Sequence, residues 1–556
     1  MAEDIDNPRV DRRDLLATLG VLGSGALAGC PVSRASTTVE SREIAFSERS
    51  SEVGFEYSPR QDWIGNGHSG VYVADVDNDL WPEVLAVGGE KPVLFDNDGG
   101  TFTESDALPA IERQIIGALF FDHDNSGWED LLLLAEDATP VFLENDEGEF
   151  SVQQAGFDTE LVRPVGATAA DYDRDGRVEV FVFQYGNWAD SVPAGYLNRG
   201  RVDDDNGFEN YLYAYDGSRF QRVEDAGIEG EHWSLAASFV DLTGDSLPDI
   251  HVANDFNSDV LYLNQGDGTF DRRRLGSVTD RNAMSSEVAD INGDGDPDLF
   301  VTNIDLPIQK QALRPEQYQL VRDRVRFLLG KRIEGNNFLV NQGNGEFTDR
   351  AERYGVQEGG WGWASVVADF DNDTELDVFH TTSIFFRIDR DDPDYTYPMF
   401  WQGQRDSTEF DQLDTSETGF LEKSGRGAAG LDVNLDGRRD IAVATFGDDY
   451  VLYANETDTW NCVQVRPTSE TIDAPSLGAV VTVTVAGERR KQVLNCKADY
   501  QSQDSRFLHF GLGDAEELDR LEVTWPDGSE LTLTDLAVNR RLVVTPDGVH
   551  RSTSLT

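Results

Sequence analysis

An Asp-rich nonapeptide close to D-x-D-x-D-G-x-x-D recurs seven times in this 556-residue chain, each copy set between two short apolar runs. The copies begin at Asp75, Asp122, Asp171, Asp241, Asp290, Asp369 and Asp432. Oxygen ligands at alternate positions of a tight turn can wrap a hard cation such as Ca²⁺, which takes 6–8 oxygens at roughly 2.3–2.6 Å. Positions 1, 3, 5 and 9 supply side chains, and position 7 can add its carbonyl. The candidate ligands are Asp75, Asp77, Asp79 and Glu83; Asp122, Asp124, Ser126 and Asp130; Asp171, Asp173, Asp175 and Glu179. The later copies offer Asp241, Thr243, Asp245 and Asp249; Asp290, Asn292, Asp294 and Asp298; Asp369, Asp371, Asp373 and Asp377; Asp432, Asn434, Asp436 and Asp440. Three or four carboxylates in one turn repel each other without a cation, so up to seven Ca²⁺ ions are expected as part of the fold.

A second signal follows several copies, a hairpin turn ending in an aromatic, as in Asn97–Phe102, Asn145–Phe150, Asn264–Phe270 and Asn341–Phe347. Gly and Asn there accept positive φ, as tight hairpins require. Uninterrupted copies begin 47–49 residues apart, the length of one four-stranded blade. The expected fold is all-β: a seven-bladed β-propeller with calcium loops over 44–456, followed by a small C-terminal β domain over 457–548.

The formal net charge is −58, more than seven divalent ions would balance. Self-repulsion on that scale destabilises a compact chain unless salt screens it. Only six of the 46 basic residues are Lys. Together these point to a protein of a salt-loving organism, and so acidic a chain repels nucleic acid.

Arg12-Arg13, an apolar Leu/Gly/Ala stretch and Leu27-Ala28-Gly29-Cys30 read as a twin-arginine lipoprotein signal over 1–30, with Cys30 as the lipidated residue. A Ser/Thr/Arg-rich tether over 31–43 follows. The expected location is the extracellular face of the cell membrane, with the lipid anchor as the only membrane contact. Cys462 and Cys496 remain in the mature body, either paired or as buried thiols.

Long insertions are expected around Asn187–Asn210, around a helical segment Pro315–Lys331 and over Arg387–Gln412. They bring Trp188, Tyr196, Tyr211, Tyr395, Tyr397, Phe400 and Trp401 into polar surroundings, the usual make-up of a recognition surface. From Trp460 the Asp motif stops and short strand-like runs follow one another.

Four of these later segments carry a family pattern. Gly478–Val483 (GAVVTV), Tyr500–Gln503 (YQSQ), His509–Gly513 (HFGLG) and Trp525–Gly528 (WPDG) resemble the ASPIC/UnbV domain. The upstream repeats resemble the FG-GAP or VCBS repeats that accompany it in the cartilage acidic protein-like family. The resemblance implies calcium binding and an extracellular or envelope setting, without an established catalytic activity. Position 6 departs from the pattern at Leu80, Ser246 and Thr374, where Gly should bend the loop; a non-Gly residue at positive φ costs about 1–2 kcal/mol.

No H-E-x-x-H, C-x-x-C, G-x-S-x-G or Walker loop is present, and the seven His are scattered. His509 reads as structural. His123, at position 2 of a loop, is expected to point away from any ion. The function expected is a non-catalytic binding or scaffold protein of the cell envelope, a monomer whose partner is an envelope protein or a glycan. The alternative is a calcium-dependent polysaccharide lyase.

Overall fold

The computed structural model describes residues 41–556 apart from 60–67, 187–205, 277, 280, 306–333, 384–396, 406, 470–474 and 497–498. Among the described residues seven antiparallel blades of four strands form, six of them meandering outward in chain order, and the first gains a fifth, parallel strand at its inner edge. Their inner strands are Gly70–Ala74, Gly117–Phe121, Pro164–Ala170, Ser234–Val240, Glu287–Ala289, Gly362–Ala368 and Gly425–Leu431. Each inner strand lies against the next, and the last returns to the first, which closes the ring of a β-propeller. The outer strand of the seventh sheet is Phe46–Glu48 from the N-terminal end, paired with Val451–Asn455. The inner strands read as apolar runs because both faces are buried between neighbouring blades.

In every blade the Asp nonapeptide joins the first strand to the second, so all seven loops crown one face of the ring. The three insertions leave between second and third strands, on the opposite face. The one in blade six ends earlier than the sequence suggests. Met399–Gln402 and Asp411–Gln412 are the third and fourth strands of blade six, and Phe400 and Trp401 are fully buried. Tyr211 likewise opens the third strand of blade three. An apolar aromatic run after a polar stretch reads as an anchored loop, but burial between blades makes it core. Trp188, Tyr196, Tyr395, the helical segment, the twin arginines and Cys30 lie outside the described residues. The end of the expected tether does not hang free: the Arg42 backbone N–H donates to Asp371, and the Ser41 hydroxyl to Asp373.

The C-terminal segment folds as two four-stranded sheets around one core that includes Val463, Val481, Phe510, Leu521 and Trp525. It runs past residue 548, because Gly548–Ser554 adds an edge strand and Leu555 is buried against Leu435 and Cys462. Residues Val39–Thr556 form one compact unit. The sandwich sits on the loop-bearing face and sends Tyr500–Gln503 into the centre of the ring. There Ser502 and Gln503 pair in parallel with Val71 and Tyr72 of blade one. Asp499 accepts the Ser286 N–H of blade five at 3.1 Å and the Ser365 N–H of blade six at 2.6 Å. Gln501 accepts from the Ser69 N–H at 2.9 Å and donates to the Ile116 carbonyl at 3.0 Å. Inner strands present backbone groups with no further strand to satisfy them, and this plug supplies the missing partners.

Candidate metal centres and the domain docked on them

The seven loops share one backbone. Position 6 has positive φ in all of them: Leu80, Gly127, Gly176, Ser246, Gly295, Thr374 and Gly437. So does position 4: Asn78, Asn125, Arg174, Gly244, Gly293, Asn372 and Leu435. The second requirement escapes a reading of spacing alone, although the recurrence of Asn and Gly at position 4 is its signal. The carboxylate at position 9 stitches the loop to its blade. Asp440, for example, accepts the Val433 N–H at position 2 and the Asn455 N–H, each at 2.8 Å.

Asn455 belongs to a second set of contacts, between blades. The Asn that opens the hairpin turn does not serve to supply positive φ, as expected from sequence; its amide clasps the preceding blade. Asn97 donates to Val433, Asn145 to Val76, Asn264 to Tyr172, Asn341 to Leu242 and Asn455 to Phe370, in each case to the position-2 carbonyl.

The position-6 carbonyls are capped by a further rule. The position-4 side chain of one loop donates to the position-6 carbonyl of the next: Asn78 to Gly127, Asn125 to Gly176, Arg174 to Ser246 and Asn372 to Gly437. Gly244, Gly293 and Leu435 cannot do this. The three carbonyls they would serve are capped from the C-terminal sandwich, Gly295 by Lys491, Thr374 by Arg490 and Leu80 by Arg541.

Four loops bring three ligating groups to within 4.8 Å of one another: Asp75, Asp77 and Glu83; His123, Asp124 and Asp130; Asp171, Asp173 and Glu179; Asp369, Asp371 and Asp377. Burial and like charge push the carboxyls up. Asp171 and Asp371 rise to about 6, Asp249 and Asp298 to about 7, and Glu179 to about 9. At position 1 one oxygen takes the position-6 N–H. In Asp171 and Asp290 the other oxygen is buried with no hydrogen-bond partner among the described residues. Ionised oxygens held close in this way fit a hard divalent cation.

The loops differ in what already neutralises them. Asp432 is engaged on both oxygens by N–H donors, Gln464 among them at 2.7 Å, and Arg541 lies 3.7 Å away. Arg466 reaches Asp75 at 2.7 Å, both side chains buried. His123 does not point away from its loop: Nδ1 lies 2.6 Å from Asp130. Burial opposes protonation of that ring, but Asp130 holds its pKa above the ordinary value.

Comparison with known proteins agrees with this organisation. The FG-GAP-like repeat profile matches residues 122–182, 241–301 and 327–380, and the ASPIC and UnbV profile matches 470–551. The chain thus carries FG-GAP-like repeats and a C-terminal ASPIC and UnbV domain. It is 25% identical to human cartilage acidic protein 1 over 513 residues, covering 87% of this chain and 63% of that protein. For the Xenopus tropicalis protein the figures are 26% over 516 residues, 88% and 65%. The chain thus spans less than two thirds of these relatives' length. Among solved structures, an Agrocybe aegerita lectin that recognises non-reducing terminal N-acetylglucosamine matches with TM-score 0.38 and 13% identity, over 70% of this chain and 99% of its own. Sqt1 of Saccharomyces cerevisiae matches with TM-score 0.40 and 9% identity, over 71% and 99%.

The ASPIC and UnbV motifs are docking elements. In H-F-G-L-G, the His509 Nε2 lies 2.7 Å from the Asn372 Oδ1 of blade six. Burial and the nearby Arg439 and Arg541 push the His509 pKa down to about 3, so the ring stays neutral. A Cβ on Gly511 would stand 1.9 Å from the Asp369 carboxylate. Two of the three position-6 departures now have a reason. Leu80 packs on Phe507 and Val543 of the domain, and the Thr374 hydroxyl accepts a long contact of 3.5 Å from Arg490. Cys462 and Cys496 are separate buried thiols, Cys462 donating to the Gly437 carbonyl and Cys496 lying 2.9 Å from Arg506.

Proposed function

We propose that this FG-GAP-like repeat protein is a calcium-stabilised, non-catalytic binding or scaffold protein of the cell surface, exported through the twin-arginine route and held by lipid at Cys30. Its recognition surface is the ring face opposite the ASPIC and UnbV domain, and its partner is an envelope protein or a glycan. One observation carries this reading. The C-terminal sandwich occupies the face that bears the Asp loops, while the second-to-third strand connections of blades three, five and six all open on the other face. Loops on a rigid ring are the usual place for recognition.

In this reading calcium does structural work. Asp171 and Asp290, with the other oxygens of their loops, would hold an ion that balances charge and fixes the loop. FG-GAP-like repeat propellers of this family are not typically enzymes, and no catalytic constellation stands out among the described residues.

The test uses the full chain with residues 384–396 replaced by a short Gly/Ser linker, which leaves the strands of blade six intact. Capture from envelope extract in molar salt should fall with the linker variant, and Cys30→Ser should release the protein from membranes. Equal capture by wild type and variant moves the surface elsewhere. Turnover of a uronate polymer replaces this reading with the lyase.

A further inference from the structure

Arg439, at position 8 of the blade-seven loop, is buried to 6% exposure, yet its guanidinium makes no hydrogen bond to the protein among the described residues. Its one ion pair is a long one, 3.9 Å to Asp504. Gly430 makes room for it: a Cβ there would stand 2.7 Å from Nε. A buried charged donor without partners is costly, so a group placed this way calls for oxygen atoms that the protein does not supply.

Arg439 lines a crevice of about 900 Å³, counted with its open mouth, between blades five and six and the docked domain. Its titratable walls balance. With the proposed ion on Asp290, and Glu129 paired to Arg506 at 3.3 Å, Glu287 and Asp504 face Arg439 and Lys491, and His509 is neutral. An anion would meet two carboxylates and a cation two basic groups. Between them Val367 and Leu376 form an apolar wall. Donors, acceptors and an apolar patch in one charge-balanced cleft suit a ligand that offers all three complements.

We propose that this crevice binds a neutral, hydroxyl-rich ligand, one sugar residue of a glycan, with hydroxyl oxygens accepting from Arg439, hydroxyl protons going to Asp504, and the C–H face of the ring on Leu376. The site lies on the domain-covered face and is independent of the surface proposed above.

The experiment titrates the calcium-loaded full chain in molar salt with the methyl glycosides of glucose, galactose and N-acetylglucosamine, read by ligand-observed NMR. Glucuronate and inorganic phosphate are the competitors. At least one neutral glycoside should bind, at least tenfold more weakly in Arg439→Lys, which keeps the charge and loses the planar fork. Leu376→Trp, which fills the cleft without touching its charges, should weaken the same glycoside comparably. Absence of binding by all three glycosides, or binding unchanged in both variants, overturns the proposal. Displacement of the glycoside by phosphate or glucuronate makes it an anion site and overturns it equally. Replacing 384–396 should leave glycoside binding unchanged, which separates this result from the partner-capture test.

Discussion

Asn125 donates from its amide to the Gly176 carbonyl at 2.8 Å, so the loop of blade two caps the loop of blade three. The relation repeats wherever position 4 carries Asn or Arg, and the C-terminal domain takes over where it does not. The domain is therefore part of the ring's closure. Coupling between a lost basic cap and a restored Asn cap should be measurable.

The cleanest case is blade six. Arg490 donates to the Thr374 carbonyl at 2.9 Å because Gly293 cannot, and no atom lies within 4 Å of a Cβ added to Gly293, whose φ is +73°. Arg490→Gln should cost about 1 kcal/mol, the group being partly exposed. Gly293→Asn should recover a good part of that loss, since Asn tolerates left-handed φ. A double-mutant cycle from denaturant melts reads the coupling. If Gly293→Asn changes stability equally in both backgrounds, the two caps are not equivalent.

Gly511 tests the docking itself. A methyl group there meets the Asp369 carboxylate at 1.9 Å and the Asn372 backbone at 2.6 Å. Gly511→Ala should destabilise by about 1–3 kcal/mol or more, as overpacking does. The loss should appear first as protease cleavage between propeller and sandwich. Melting and cleavage both as in wild type would mean that the interface yields, contrary to the geometry.

The axial plug gives a third expectation. Asp499 uses both carboxylate oxygens on backbone N–H groups of two blades. In Asp499→Asn one oxygen becomes a donor facing a donor, so a loss of about 1.5–3 kcal/mol is expected from thermal or denaturant unfolding. Asp499→Glu should not restore it, because the longer arm cannot reach both N–H groups from the same backbone. Full rescue by Glu would show that charge alone matters.

Much of this was legible in the sequence, and the failures have physical reasons. Spacing at positions 1, 3, 5 and 9 is a local property, so the loops and the repeat emerge directly. Position 4 stayed hidden because Asn there both accepts left-handed φ and clasps a neighbour, and composition cannot separate the two roles. Phe400 and Trp401 were misplaced because an aromatic pair beside a polar stretch looks the same whether it pins a loop or fills a blade. The docked domain was invisible as a partner. Its contacts join residues as far apart as Arg466 and Asp75, 391 positions, or Arg541 and Leu80, 461 positions, with no local pattern to announce them.

The last expectation concerns metal and pH together. Folding raises several loop carboxyls, Asp122, Asp249 and Asp298 to about 7 and Glu179 to about 9, first through burial and then through neighbouring charge. A raised carboxyl binds its proton more tightly in the folded state than in the unfolded chain. Its contribution is therefore present at low pH and lost as pH rises through the folded value. The buried His380 and His509, lowered to about 4 and about 3, act the other way, but only below the ordinary His range near 6.5. Between pH 8 and 6.5 the raised carboxyls act together with His123, which Asp130 holds above its ordinary value and which works in the same direction, so the metal-stripped protein should gain thermal stability on acidification across that window. With calcium bound the same oxygens must be ionised, protons compete with the ion, and the slope should reverse or vanish. Melting temperatures at pH 8.0, 7.2 and 6.5 in molar salt, with and without calcium, give both slopes. Parallel slopes would show that these carboxylates do not hold the ion.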